Sequence, residues 1–421
     1  MKIRLLTTSL AAFIALSQLS YSFGNETADS FLFASISDSN QWFESTCKPT
    51  LAHHSFSKIV ASEASEFQLV ENPCSSVAQL ACRFRDDYAC EMYLLHSELR
   101  KASHWAIRPL IVNSATAEVV EYLGVYYRMQ RRLLQPISAK HTPLLVSTIS
   151  RIKLALSSMP KSIYSVFIKY VSAVLLVENL GPKNETLDLY DEVGRPVSGL
   201  IVLDLNELQQ KANEWLSKRE SSPYIPMVRG PNLSDSALGI KAFLEEDQND
   251  VLENSIQFIL LRELGHILFD AFHDFPSDTE ASKEDSIAKS PFLTLSWFVN
   301  ENEFHNRFDQ SFAKRALPTI YPDDPNQRRD MGEMAMYYYD ILETLPFPSI
   351  LATTDVREDF AESFAGYVHT VIQKKPFTIV LKPWKDFVPR KIPSCWDQPR
   401  CSTKRRFFDE LIASWSSETR K

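Results

Sequence analysis

Two segments carry side chains whose types and spacing can do chemistry. The first runs from Phe258 to Phe269, where Glu263 and His266 stand in an otherwise apolar, helix-forming stretch. Residues i and i+4 share one face of a helix, so a histidine at each position would aim two imidazoles at one zinc ion. A glutamate next to the first would then reach a metal-bound water. Here the first position is Arg262, giving Arg262-Glu263-Leu264-Gly265-His266. Arginine stays protonated and has no lone pair to give a metal. The second segment, Arg357 to His369, reads as a helix with Glu358, Glu362 and, nearly, His369 on one side. A ligating glutamate followed four residues later by another carboxylate suits a metal site in which the second group orients a ligating histidine.

Other constellations are weaker. His266, Asp270 and His273 fall at i, i+4 and i+7, so a rearranged metal site on the same helix is geometrically possible, although His273-Asp274 more simply reads as a polar helix end. His53-His54 lies in a polar stretch, and His96, His104, His141 and His305 are isolated and read as structural. No G-x-S-x-G, Walker A, G-x-G-x-x-G or C-x-x-C motif occurs, so lipase, nucleotide-binding and thioredoxin-type chemistry have no local support.

Glu263-Leu264-Gly265-His266 together with Glu358-Asp359-Phe360-Ala361-Glu362 resembles the gluzincin metallopeptidases, whose zinc is held by two histidines and a downstream glutamate. The Glu-x-Phe-Ala-Glu spacing is most similar to the catalytic domain of anthrax lethal factor and a related group of uncharacterised secreted bacterial proteins. The specific match covers about 20 residues and extends plausibly over 170–401. The resemblance implies a zincin-like domain with zinc as cofactor, His266 and Glu358 as ligands, Glu263 as general base and Glu362 as the carboxylate behind a ligand. Two departures bear on activity. Arg262 replaces a ligand, and Leu351 stands where lethal factor has an oxyanion-stabilising tyrosine, a loss worth about 3 kcal/mol in a working site. With two ligands left, zinc would not ordinarily be retained. The expectation is that the Arg262 guanidinium pairs with Glu358 and docks the two helices where relatives use the metal. The resulting functional expectation is a pseudoprotease that binds a peptide or protein. The alternative is an active zinc endopeptidase with Asp270 or His273 as third ligand.

The elements that must position these residues follow from periodicity. Apolar residues at three and four from Val77 to about Gln135, and again from about Leu145 to Ser157, predict helices. Ser172–Val177, Leu187–Tyr190 and Leu200–Leu205 predict a small sheet with a turn at Asp191–Pro196; an edge strand beside the site helix would suit a zincin, which pairs it with substrate backbone. Helices are expected over Leu205–Leu216, Val251–Phe272, Gly332–Leu345 and Arg357–Gln373. The fold class is therefore α+β and mostly helical. Its organisation reads as a signal peptide over 1–22, a polar leader over 23–72, a helical N-terminal region over 73–160 and the zincin-like domain over 161–421.

The signal peptide is read from Lys2 and Arg4 before an apolar run that ends near Leu19, with Ser20 and Ser22 at the −3 and −1 positions of a cut. The run is polar in places and short of the roughly 20 apolar residues of a membrane span. Export implies a secreted or periplasmic protein, the resemblance implies a bacterial one, and export makes disulfides possible among Cys47, Cys74, Cys82, Cys90, Cys395 and Cys401. Cys395 and Cys401 are the best local pair, and the other four would staple the N-terminal region. A net charge of −8 over 421 residues removes the positive field that non-specific nucleic-acid binding needs. Residues 374–406 run against this, with ten bases and two acids, a local +8 that can meet an anionic surface such as lipid or polysaccharide or simply form a solvated face.

Overall fold

The computed structural model describes residues 59–61, 67–69, 94, 97–105, 110–131, 146–180, 184–225, 239–272, 287, 290–300, 303–307, 329–382 and 386–418. The chain divides into two compact units, one comprising 1–100 with 121–136 and the other 101–120 with 137–421. In the first, Ile59–Ala61 pairs antiparallel with Phe67–Leu69 inside the stretch expected to be a polar leader. There the Tyr122 hydroxyl donates to the Leu94 carbonyl at 3.3 Å and accepts from Arg100 at 2.9 Å.

The second unit is an α+β assembly that begins well before residue 161. Its principal strands are β1 (Ile111–Ser114), β2 (Val171–Val177), β3 (Glu185–Tyr190), β4 (Pro196–Asp204), β5 (Gly239–Phe243), β6 (Thr378–Lys382) and β7 (Arg390–Pro393). Its principal helices are α1 (Ala117–Arg131, shared with the first unit), α2 (Val146–Ser157), α3 (Lys161–Tyr170), α4 (Ala212–Ser221), α5 (Leu252–Phe272), α6 (Met331–Leu342), α7 (Val356–Tyr367) and α8 (Ser402–Glu418).

The larger sheet has the order β1-β2-β4-β3, parallel except for β3, which lies antiparallel on β4. Strand β2 and the Leu200–Leu203 part of β4 read as unbroken apolar runs because both their faces are covered; all of β2 but Ser172, and β4 from Gly199 onward, is buried. The strand β1 falls within the region expected to be helical, and its identity comes from pairing with Ala173–Leu176. The smaller sheet is antiparallel, in the order β7-β6-β5.

Helix α5 runs through the middle. Fourteen of its residues between Ser255 and Phe269 are buried, so it is enclosed on all sides. At Gly199 of β4 the Ile267 side chain comes so close that a Cβ would lie 2.7 Å from it. The helix expected over Leu205–Leu216 divides instead. A 3₁₀ turn at Glu207–Gln209 is followed by extended backbone at Gln210 and Lys211 before α4 begins. The Ser255 hydroxyl, donating to the Gln210 carbonyl at 2.7 Å, holds that break. Helix α7 opens on Asp355, whose side chain accepts from the Arg357 amide at 2.8 Å, and passes into a π turn at Val368–Ile372. No described helix is long and apolar enough to cross a membrane.

Candidate functional site: a buried arginine–carboxylate cluster

Helices α5 and α7 cross at Gly265. A Cβ there would stand 2.7 Å from the Ala361 Cα, so only glycine lets the backbones approach this closely. Ala361 lies between Glu358 and Glu362, and Gly265 lies between Glu263 and His266. The contact therefore sets the two sequence motifs against each other.

Arg262 occupies the centre. Its Nη1 donates to Glu263 Oε1 at 2.6 Å, its Nη2 to Glu358 Oε2 at 2.5 Å and its Nε to Glu362 Oε1 at 3.0 Å. One planar guanidinium thus satisfies three carboxylates from two helices, and the expected Arg262–Glu358 pairing is present. Burial opposes the charge on Arg262, but Glu358, Glu263 and Glu362 together hold it protonated well beyond the ordinary arginine range. His266 Nε2 lies 3.8 Å from Glu358 Oε2.

Glu263 is 1% exposed. Burial pushes its carboxyl up to about 7 against the pull of Arg262, and the charges of Glu358 and of Glu185 on β3 push the same way. Glu362 has both oxygens filled. Oε1 accepts from Arg219 Nη1 at 2.8 Å as well as from Arg262, and Oε2 accepts from Arg219 Nη2 at 3.0 Å and from the Ser349 hydroxyl at 2.8 Å. Arg219 also donates to Glu220 Oε1 at 3.0 Å and stacks over the Trp215 ring, while Tyr339 donates to Glu220 Oε2 at 2.7 Å. The cluster therefore extends from α5 and α7 through α4 to α6.

Asp270, one turn beyond His266, is ion-paired with Arg357 of α7. Burial and the neighbouring Asp188 of β3 raise its carboxyl well above the usual range. Leu351 is buried in the 3₁₀ turn that precedes α7. His369 is a packing residue: its Nε2–H donates to the Leu244 carbonyl at 2.8 Å, its ring meets Phe258 edge-on, and burial pushes its imidazole down to about 4. His104 and His305 sit beside Trp105 and Phe298. His53, His54, His96, His141, His273, Cys47, Cys74, Cys82 and Cys90 lie outside the described residues. Among the described residues no group of three or more His, Cys, Asp and Glu side chains is placed to hold a metal ion.

Cys395 and Cys401 form a disulfide with Cα atoms 5.6 Å apart. The basic run 374–406 is not the single solvated face that charge counting allowed. Lys404 is 1% exposed and donates to both oxygens of Asp359 at 2.5 and 2.6 Å, where Trp297 Nε1 also donates to Asp359. Lys375 pairs with Glu245, Arg390 with Asp340 and Glu343, and Arg400 donates to the carbonyls of Leu342, Leu345 and Phe347. Much of the positive charge is spent inside the fold.

Sequence reasoning missed Arg219, Glu220, Ser349, Tyr339 and Lys404. No local spacing marks them: Arg219, Tyr339 and Lys404 meet their partners Glu362, Glu220 and Asp359 across 143, 119 and 45 positions, and Ser349 reaches Glu362 from the turn before α7. Comparison of the chain with protein-family models, with curated proteins and with solved structures gives no match.

Proposed function

We propose that this protein is an exported pseudoprotease of gluzincin-like architecture, in which a guanidinium has replaced the metal and the old substrate cleft binds a peptide or protein. The observation that carries the reading is the position of Arg262, bonded at once to Glu263, Glu358 and Glu362 between the two helices that hold the motif residues. The donor set argues against zinc. Arg262 has no lone pair, its N–H groups point at the carboxylates a metal would need, and His266 with Glu358 makes two ligands where three are usual. Asp270, the candidate third ligand on the same helix, is engaged by Arg357.

The mixed sheet agrees with such an architecture, because its antiparallel edge strand β3 lies alongside α5 and sends Glu185 and Asp188 toward Glu263 and Asp270. Export is supported by the N-terminal charge and apolar pattern and by the Cys395–Cys401 disulfide. With Arg262 in place, Glu263 has a cation rather than a polarised water beside it, so peptide hydrolysis through a metal-bound nucleophile is not available to this arrangement.

The test is metal content of protein purified without chelator, for wild type and for Arg262→His. Zinc in the Arg262→His variant alone is the expected result. One zinc per chain in the wild type, with peptidase activity lost in Glu263→Gln, would overturn the proposal in favour of an active enzyme.

A further inference from the structure

We propose that the outward face of the β5–β6–β7 sheet, with Val388 just before β7, is a contact surface for anionic lipid bilayers. The argument starts from register. Val380 pairs with Lys391 on one side and with Lys241 on the other, and Lys382 pairs with Gly239. Side chains alternate across a strand, so Ile240, Ala242, Ile379, Leu381 and Ile392 turn inward and are buried, while Lys241, Val380, Lys382 and Lys391 share the opposite face. No strand residue on that face is acidic. Lys241 and Lys391 are exposed and stand about 10 Å apart, two strand spacings, with Val380 between them.

These lysines differ from the other bases nearby. Lys375, Arg390 and Lys404 are engaged by carboxylates of the fold, whereas Lys241, Lys382 and Lys391 make no ion pair among the described residues. Just before β7 stands Val388, 81% exposed and the most exposed large apolar side chain among the described residues, with Asp386 two positions earlier. Lysines on one sheet face with an exposed apolar side chain at the adjoining strand end suit both halves of a bilayer interface, because the ammonium groups meet lipid phosphates and the valine enters the boundary region. A polysaccharide would be met by exposed aromatic platforms, whereas Phe243 on this face and Phe387 beside Val388 are only partly exposed.

Each lysine at an anionic membrane surface is worth about fivefold in binding, so three together give about 100-fold. The experiment is co-sedimentation of the full chain with vesicles of phosphatidylcholine, alone or mixed with phosphatidylserine. The expected result is binding only to the mixed vesicles, weakened by added salt, reduced about 100-fold in Lys241→Gln/Lys382→Gln/Lys391→Gln and reduced also in Val388→Asp. Circular dichroism melts should match the wild type for both variants, since none of the four side chains is buried. If the triple variant folds poorly, Lys391→Gln alone must still weaken binding about fivefold. Equal binding to neutral vesicles, no binding to either, retention of binding in the lysine variants, or capture by sulfated polysaccharide without vesicle binding would each overturn the proposal.

Discussion

Replacing Glu263 with glutamine keeps the shape of a carboxyl while removing its charge. Burial has pushed that carboxyl up to about 7, against an ordinary value of 4.5. Between those two values the folded protein holds a proton that the unfolded chain has released. The contribution of Glu263 to stability is therefore intact below about pH 4.5 and is lost as the pH rises through about 7. A difference of about 2.5, at about 1.4 kcal/mol for each, sets the whole effect on the order of 3 kcal/mol. His369 acts with the opposite sign. Burial lowers its imidazole from 6.5 to about 4, so its contribution is present above about pH 6.5 and is lost as the pH falls through about 4. Over the shared interval one slope offsets the other. Burial raises Asp270 as well, which adds a fall of the same sign as that of Glu263, so the two proteins are compared at each pH. Glu263→Gln lacks the Glu263 slope, so its stability relative to the wild type should rise by about 3 kcal/mol from about pH 4.5 to about 7 and then level off. Urea unfolding followed by circular dichroism at a series of pH values measures both curves. Parallel curves for the two proteins would refute the assignment of a neutral-range proton to Glu263.

Gly265→Val should destabilise the protein by about 1–3 kcal/mol or more in the same assay, because a Cβ at this position meets the Ala361 backbone rather than a side-chain end that can move. Lys404→Met leaves the Asp359 carboxylate buried without its counter-ion and should cost about 3–5 kcal/mol. Adding Asp359→Asn should recover part of that loss, and a double-mutant cycle on melting temperature would show the coupling. Cys395→Ser/Cys401→Ser opens a loop of sequence separation 6, and the loss expected from chain entropy is about 2 kcal/mol, measurable as a lower denaturation midpoint.

The parts of this fold that are legible in the sequence are those whose environment is uniform along the segment. Helix α5 announces itself as a long apolar run because it is enclosed on every side, and β2 and the Leu200–Leu203 part of β4 do so because both their faces are covered. The strand β1 has four residues and no alternation of its own, and only its parallel neighbour makes it a strand. The site divides in the same way. Arg262, Glu263, His266, Glu358 and Glu362 are visible because each motif lies on one helix. Arg219, by contrast, sits in the last turn of α4, where a basic residue ordinarily reads as solvated, and it reaches Glu362 across 143 positions. The basic run misleads for a related reason. Its charges can be counted locally, but Asp359, Glu245, Asp340 and Glu343, which take them up, lie in other segments.

The pairing of Asp359 with Lys404 also orders events during synthesis. Asp359 belongs to the first turn of the helix that carries Glu358 and Glu362, and its counter-ion is made 45 residues later. While the nascent chain lacks Lys404, seating α7 against α5 would bury a carboxylate with no cation beside it. The arginine-centred cluster therefore needs residue 404 before it can close without that penalty. Chains truncated before residue 404 should be held open at this helix and be cut faster there by added protease than the full chain.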